Sequence, residues 1–130
     1  MEPTLTTAPE LADILEQLIR REPIFHRPEF GTPRADFEAM TDPAFWEIGA
    51  SGRRYSREYV WSVLEQRYAN PVAAQWETSN FHCAEIAACN YLLTYTLAQG
   101  ERLTRRSTLW RQTARGWKIV FHQGTLVAAE

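Results

Sequence analysis

The sequence is poor in lysine, cysteine and long apolar runs, and each shortage closes off a class of protein. Lys118 is the only lysine beside thirteen arginines, and sixteen acids leave a formal net charge of −2. That balance argues against the general attraction for nucleic acid or for a membrane surface that a basic surplus creates. The two cysteines, Cys83 and Cys89, lack metal-type spacing and fit free thiols in a reducing compartment. His26, His82 and His122 are scattered over a loop and two strands, so no metal site is expected, and no cofactor. The first twenty residues, MEPTLTTAPELADILEQLIR, carry early acids and no continuous apolar stretch. Neither a secretory leader nor a membrane span is expected from them, and the compartment read from the chain is cytoplasmic.

What is present suffices for one core. A chain of 130 residues with 45% hydrophobic content reads as a single domain over 1–130, its core at about 11–125. Thr7 to Glu10 is a capping-box pattern, after which Leu11, Ile14, Leu15, Leu18 and Ile19 recur at helical spacing up to Pro23. Thr32-Pro33 starts a short helix with Phe37 and Met40 on one side, ended by Asp42-Pro43. A brief strand over Phe45 to Ile48 follows, then a turn from Gly49 to Gly52. Ser56 caps a third helix with an apolar stripe of Tyr59, Val60, Val63 and Leu64, closed by Asn70-Pro71. From Gln75 the period shortens to two, giving strands over Gln75–Cys89, Tyr91–Ala98, Arg102–Arg111 and Trp117–Gln123 in an antiparallel meander. Helices first and a sheet after them make an α+β layout.

Strand parity then decides which side chains meet the helices. A two-residue hairpin at Gly100 puts Leu93 and Tyr95 on one face with Arg106 and Thr108. A turn over Thr113 to Gly116 pairs Trp110 with Ile119 and Thr108 with Phe121, which adds Trp117, Phe121 and Gln123 to that face. Burying a large apolar side chain is worth roughly 1.5–3 kcal/mol, so this face is expected inside and His122 outside. A bulge between Arg102 and Trp117 would shift the pairing and reverse the answer.

The three helices followed by a meander, with WEIGASGRRY in the first strand-turn and STLWRQTARGWKIVFHQGT at the end, resemble the nuclear-transport-factor-2-like (SnoaL-like) superfamily. Within it the likeness is to the domain-of-unknown-function family 4440, over about Leu11 to Thr125. The resemblance implies a cystatin-like cone, a strongly curved antiparallel sheet wrapped around the N-terminal helices, with a pocket at its open end and dimers through the outer sheet surface. Such folds host isomerases, cyclases and noncatalytic assembly domains, so the fold does not fix the function. A steroid isomerase of this type implies a carboxylate base at about Ile48, a protonated acid at about Thr108 and a tyrosine donor on the first helix. None of the three is present, and a direct copy of that chemistry is not expected.

The candidate ligand-binding residues are Trp46, Ile48, Tyr95, Arg106, Thr108, Trp110, Phe121 and Gln123. Trp46, Ile48, Trp110 and Phe121 would line an apolar cavity or simply fill a core, while Tyr95, Thr108 and Gln123 offer hydrogen bonds. Arg106 on an apolar face requires a ligand anion, an internal acid such as Glu47, or water, because an unpaired buried charge is costly. Arg105 and Arg111, with Leu109 and Val120, form an outward row suited to a two-fold homodimer. The expected function is a small-molecule-binding domain for an organic ligand with an acidic or polar end, no catalytic residue being assigned. The alternatives are an isomerase or cyclase using Tyr95, Glu47 or His26, and a noncatalytic assembly module with a filled core.

Overall fold

The computed structural model describes residues 1–73 and 75–128. A single 3-10 turn over Pro9–Leu11 leads into helix α1, Ala12–Arg21, whose Leu18 is fully buried while Leu11, Ile14 and Leu15 pack at the core's margin. The expected capping box does not form. The Thr7 hydroxyl instead accepts the amide of Cys83 at 3.1 Å, tying the N-terminal segment to an edge strand of the sheet. Pro23 has no N–H to continue α1, and the chain turns through Ile24–His26 and Pro28–Phe30. Helix α2 spans Arg34–Met40 and stops where the Thr41 hydroxyl donates to the Phe37 carbonyl at 2.7 Å, satisfying one of the acceptors a helix end leaves open.

Strand β1, Thr41–Ile48, starts earlier than the sequence suggests, and β2 is the short Arg54–Ser56. Helix α3, Arg57–Ala69, begins at Ser56, whose hydroxyl accepts the Tyr59 amide at 3.1 Å as the cap reading requires. Its buried residues are Val60, Trp61 and Leu64; Tyr59 and Val63 are exposed. Trp61 packs at 5.4 Å, tilted, on Phe37 of α2, so the helix is rotated away from the expected stripe. Strands β3, Glu77–Ala87; β4, Asn90–Gln99; β5, Arg102–Thr113; and β6, Gly116–Leu126, form the expected meander. Gly100, at φ 63°, supplies the left-handed residue that the β4–β5 hairpin needs.

The six strands run in the order β2-β1-β6-β5-β4-β3, an open, curved α+β sheet in which only β1 and β6 are parallel. The helices cover its inner face. Leu18, Leu93, Leu97, Trp110 and Ile119 form the packed centre, with Trp110 edge-on to Trp117 at 6.3 Å.

One irregularity decides which residues the inner face displays. The β5–β6 register runs through Trp110↔Ile119 and then steps to Leu109↔Phe121, leaving Val120 without an opposite residue. Against β1 the register also breaks over this stretch, between Thr41↔Ile119 and Trp46↔Phe121, but there the surplus residues lie on β1; against β5 the surplus is Val120 alone. The extra residue bends the strand and reverses its alternation. Up to Ile119 the expected parity holds. Beyond Val120 it is inverted: His122 and Gly124 are buried, and Phe121 turns outward to pack on Trp46 at 4.7 Å. The expectation that Thr108 faces Phe121 and that His122 points outward is therefore corrected; Thr108 faces His122.

The outer face carries Trp46, Leu92 and Leu103 as exposed apolar residues, and it is the surface on which a two-fold contact was expected. Its arginines are engaged within the chain: Arg105 with Glu2 at 2.6 Å, and Arg111 with Asp42 at 2.7 Å. Both cysteines are free thiols. Among the described residues no helix is long and apolar enough to cross a membrane.

Candidate functional site

A cavity of about 470 Å³ lies beyond the packed centre, between the inner sheet face, helix α3, the β1–β2 turn and the segment that follows α1. Ile24 and Phe25 from that segment, Val60 and Leu64 from α3, and Ile119 from β6 give it apolar walls. Its charged side chains are three guanidiniums, Arg67, Arg102 and Arg106, and two carboxylates, Glu22 and Glu47, and the imidazoles of His26 and His122 line it as well.

The two carboxylates differ in what holds them. Glu22, only 2% exposed, ends α1 and is fully engaged. Its Oε2 accepts the Tyr95 hydroxyl at 2.9 Å and the Ile24 amide at 3.1 Å, and its Oε1 accepts the Trp110 indole N–H at 3.2 Å. Burial, and then the neighbouring Glu22 charge, push the Tyr95 phenol well above its ordinary pKa, so its proton stays on the bond to Glu22. Glu47 is on β1 opposite His122 and has no hydrogen-bond partner among the described residues. Burial raises its pKa, while the Arg106 and Arg67 charges oppose that rise.

Arg106 is held by neutral groups alone. Its Nε donates to the Thr104 hydroxyl at 3.1 Å and its Nη1 to His122 Nε2 at 3.3 Å, and it forms no ion pair among the described residues. A guanidinium has only donors, so Nε2 of His122 must be the accepting nitrogen and the ring proton lies on Nδ1, which donates to the Thr108 hydroxyl at 2.8 Å. The chain Thr108–His122–Arg106 thus needs a neutral imidazole. Burial, followed by the Arg106 and His26 charges, pushes His122 down to about 3. His26 is pushed down to about 4 by burial and then by Arg67 and Arg106. With both imidazoles neutral, positive charge predominates in the cavity. Gly124 runs close beneath this arrangement: a Cβ there would meet Arg106 Nε at 3.5 Å, in ordinary van der Waals contact.

The expected site residues separate into three groups. Ile48, Tyr95 and Arg106 line the cavity. Thr108 and Trp110 are fully buried behind it, the first bonded to His122 and the second to Glu22. Trp46, 41% exposed, Phe121 and Gln123 are elsewhere: Trp46 and Phe121 pack together on the outer face, and the Val120 bulge takes Gln123 out of the inner row. Their placement on the cavity face is corrected. The first strand also does send a carboxylate inward, Glu47, one residue before the position that the resemblance implies.

Sequence reasoning missed Glu22, Arg67, Arg102 and Gln99, and it set His122 aside. Gly124 was the available signal, since a glycine inside a strand marks a bulge or a close approach, and here it marks both a nearby bulge and the Arg106 stem. Among the described residues no group of three or more His, Cys, Asp or Glu is placed to hold a metal ion.

Solved structures share this architecture. A DUF3225-family protein of unknown function from Pectobacterium atrosepticum superposes with a TM-score of 0.64 at 17% identity, covering 95% of this chain and all of that one. An NTF-2-like protein of unknown function from Silicibacter pomeroyi gives 0.61 at 14% identity, covering 94% and 100%. A protein from Parabacteroides distasonis, provisionally described as a ketosteroid isomerase, gives 0.65 at 16% identity, covering 93% and 94%. These likenesses establish the nuclear-transport-factor-2-like fold. No family model matches the chain, and no curated protein matches it in sequence.

Proposed function

We propose that the protein binds a small organic anion in this cavity, with Arg106 as the receptor for its acidic end. The observation that carries the reading is the way Arg106 is held. A partly buried guanidinium ordinarily pairs with an acid, because leaving it unpaired is costly. Here Thr104 and His122 fix its direction without neutralising it, and the nearby carboxylates do not pair with it. Such a group is oriented in advance for an anion, and orientation in advance lowers the cost of binding. Arg67 and Arg102 add to the same potential, while the apolar walls suit a hydrocarbon or aromatic body.

Thermal-shift screening of small carboxylates and aromatic acids tests the proposal. A ligand at about one hundred times its dissociation constant adds about 2.7 kcal/mol and raises the midpoint by several degrees. Arg106→Ala is expected to weaken the hits by about 2–5 kcal/mol, the usual cost of truncating a desolvated charge pair. Hits indifferent to that substitution contradict the Arg106 role.

Glu47 favours a second reading, proton transfer on the bound ligand. A carboxylate with a raised pKa beside an anion receptor is suited to take a proton from carbon next to a carbonyl. The probe is deuterium exchange at C3 of 2-oxo acids in D2O, followed by proton NMR. Protein-dependent exchange lost in Glu47→Gln supports this reading; exchange no faster than in buffer removes it.

A further inference from the structure

The proposal that Arg106 receives an anion leaves Glu47 unexplained, and Glu47 carries the next step. It faces His122 directly across the β1–β6 pair, where adjacent strands are about 4.8 Å apart. Arg106 reaches the same imidazole from the β5 side, 3.3 Å from its Nε2. A carboxylate and a guanidinium therefore flank one neutral ring without pairing with each other. His122 cannot bridge them as a cation, because its Nδ1 proton is committed to Thr108 and its Nε2 accepts from Arg106.

The cavity's open valences run both ways. Arg106 forms two hydrogen bonds, fewer than its five N–H groups allow. Glu47 has acceptor sites with no donor among the described residues. A second acceptor, Gln99 Oε1, is buried without a partner on the strand position opposite Arg102, towards the β4–β5 hairpin end of the cavity. An anion alone would satisfy the guanidinium and be repelled by Glu47. A molecule bearing a donor nitrogen as well would satisfy both.

Resting on the anion reading above, we propose that the ligand is an amino carboxylate, its carboxylate on Arg106 and its ammonium or N–H group on Glu47. The separation of the two groups by one imidazole matches a molecule whose charges are a few bonds apart. The apolar walls take the side chain, and Gln99 Oε1 accepts a further N–H from a ligand long enough to reach it.

Matched pairs decide the matter: L-phenylalanine against 3-phenylpropanoate and L-leucine against 4-methylpentanoate, titrated calorimetrically into wild type, Arg106→Ala and Glu47→Gln. Wild type is expected to prefer the amino member of at least one pair by about tenfold or more, a difference of about 1.4 kcal/mol. Glu47→Gln is expected to erase that preference while still binding the des-amino acid, which also shows that the variant is folded. Arg106→Ala is expected to weaken both members. Arg106-dependent binding of the des-amino acids with no amino preference, or a preference that survives Glu47→Gln, overturns this inference and leaves the anion reading standing. Binding of neither member of either pair overturns both.

Discussion

Replacing Glu22 with alanine is expected to lower the thermal midpoint by about 10 °C or more, the largest effect of any single substitution near the cavity. The carboxylate is 2% exposed and is the acceptor for the Tyr95 hydroxyl, the Trp110 indole and the Ile24 amide. Truncation leaves those three donors buried and unpaired, at about 1–3 kcal/mol each. For domains of this size each kcal/mol moves the midpoint by roughly 2–8 °C. Glu22→Gln separates lost acceptors from lost volume. It keeps an oxygen for two of the donors but sets an amide N–H against the third, so its cost should fall between wild type and alanine. Thermal and urea denaturation of the three proteins measure this. An alanine variant within about 1 kcal/mol of wild type would mean that water replaces the carboxylate at no cost.

The second large effect is loss of stability in acid, set mainly by His122. Its folded pKa lies near 3, against an ordinary 6.5 in the unfolded chain. Above pH 6.5 both states hold the ring neutral and nothing is lost. As the pH falls below 6.5 the unfolded state takes up a proton that the folded state refuses, and the loss grows until about pH 3. At about 1.36 kcal/mol per pH unit, His122 alone removes about 2 kcal/mol by pH 5. His26, pushed down to about 4, acts in the same direction over a narrower window. Glu47 acts oppositely: its raised pKa favours the folded state at low pH, and that contribution fades as the pH rises through the folded value. Denaturation of wild type and His122→Asn at pH 7 and pH 5 reads the difference. The variant keeps an acceptor for Arg106 and should lose about 2 kcal/mol less between the two pH values. Equal pH dependence would place the imidazole in solvent.

Much of the fold is legible in local pattern. The helical spacing of Leu11 to Ile19, the Ser56 cap, the Gly100 hairpin and the period of two after Gln75 are each decided by neighbours in sequence, and the folded chain uses them as read. The β4–β5 pairing fixed parity correctly as far as Ile119 because a hairpin transmits register without error. What local pattern does not contain is the curvature of the sheet. Val120 is as good a strand residue as Ile119, and nothing in its own neighbourhood marks it as the residue left without a partner between β5 and β6.

That single residue moved two of the eight candidate site residues. Phe121 and Gln123 left the inner row, and His122 and Gly124 entered it. Trp46 follows the same logic, because its neighbour in the parallel pair is Phe121. Glu22 was illegible for another reason. A glutamate before a proline at a helix end looks like a solvated terminus, and only the approach of Tyr95 and Trp110, far along the chain, makes it a buried acceptor. Similarly, the apolar pattern of α3 allowed a stripe through Tyr59 and Val63, but the contact of Trp61 with Phe37 sets the rotation and leaves those two residues at the cavity rim.

The central claim is that Arg106 stands unpaired by any acid among the described residues, aimed by His122 and ready for an anion. A crystal structure of the protein soaked with 3-phenylpropanoate addresses it directly. The expected result is a carboxylate with an oxygen about 2.8 Å from an Arg106 nitrogen, the ring against the apolar wall, and His122 still between Arg106 and Thr108. An Arg106 folded onto Glu47, with the soaked acid bound elsewhere or not at all, would contradict it.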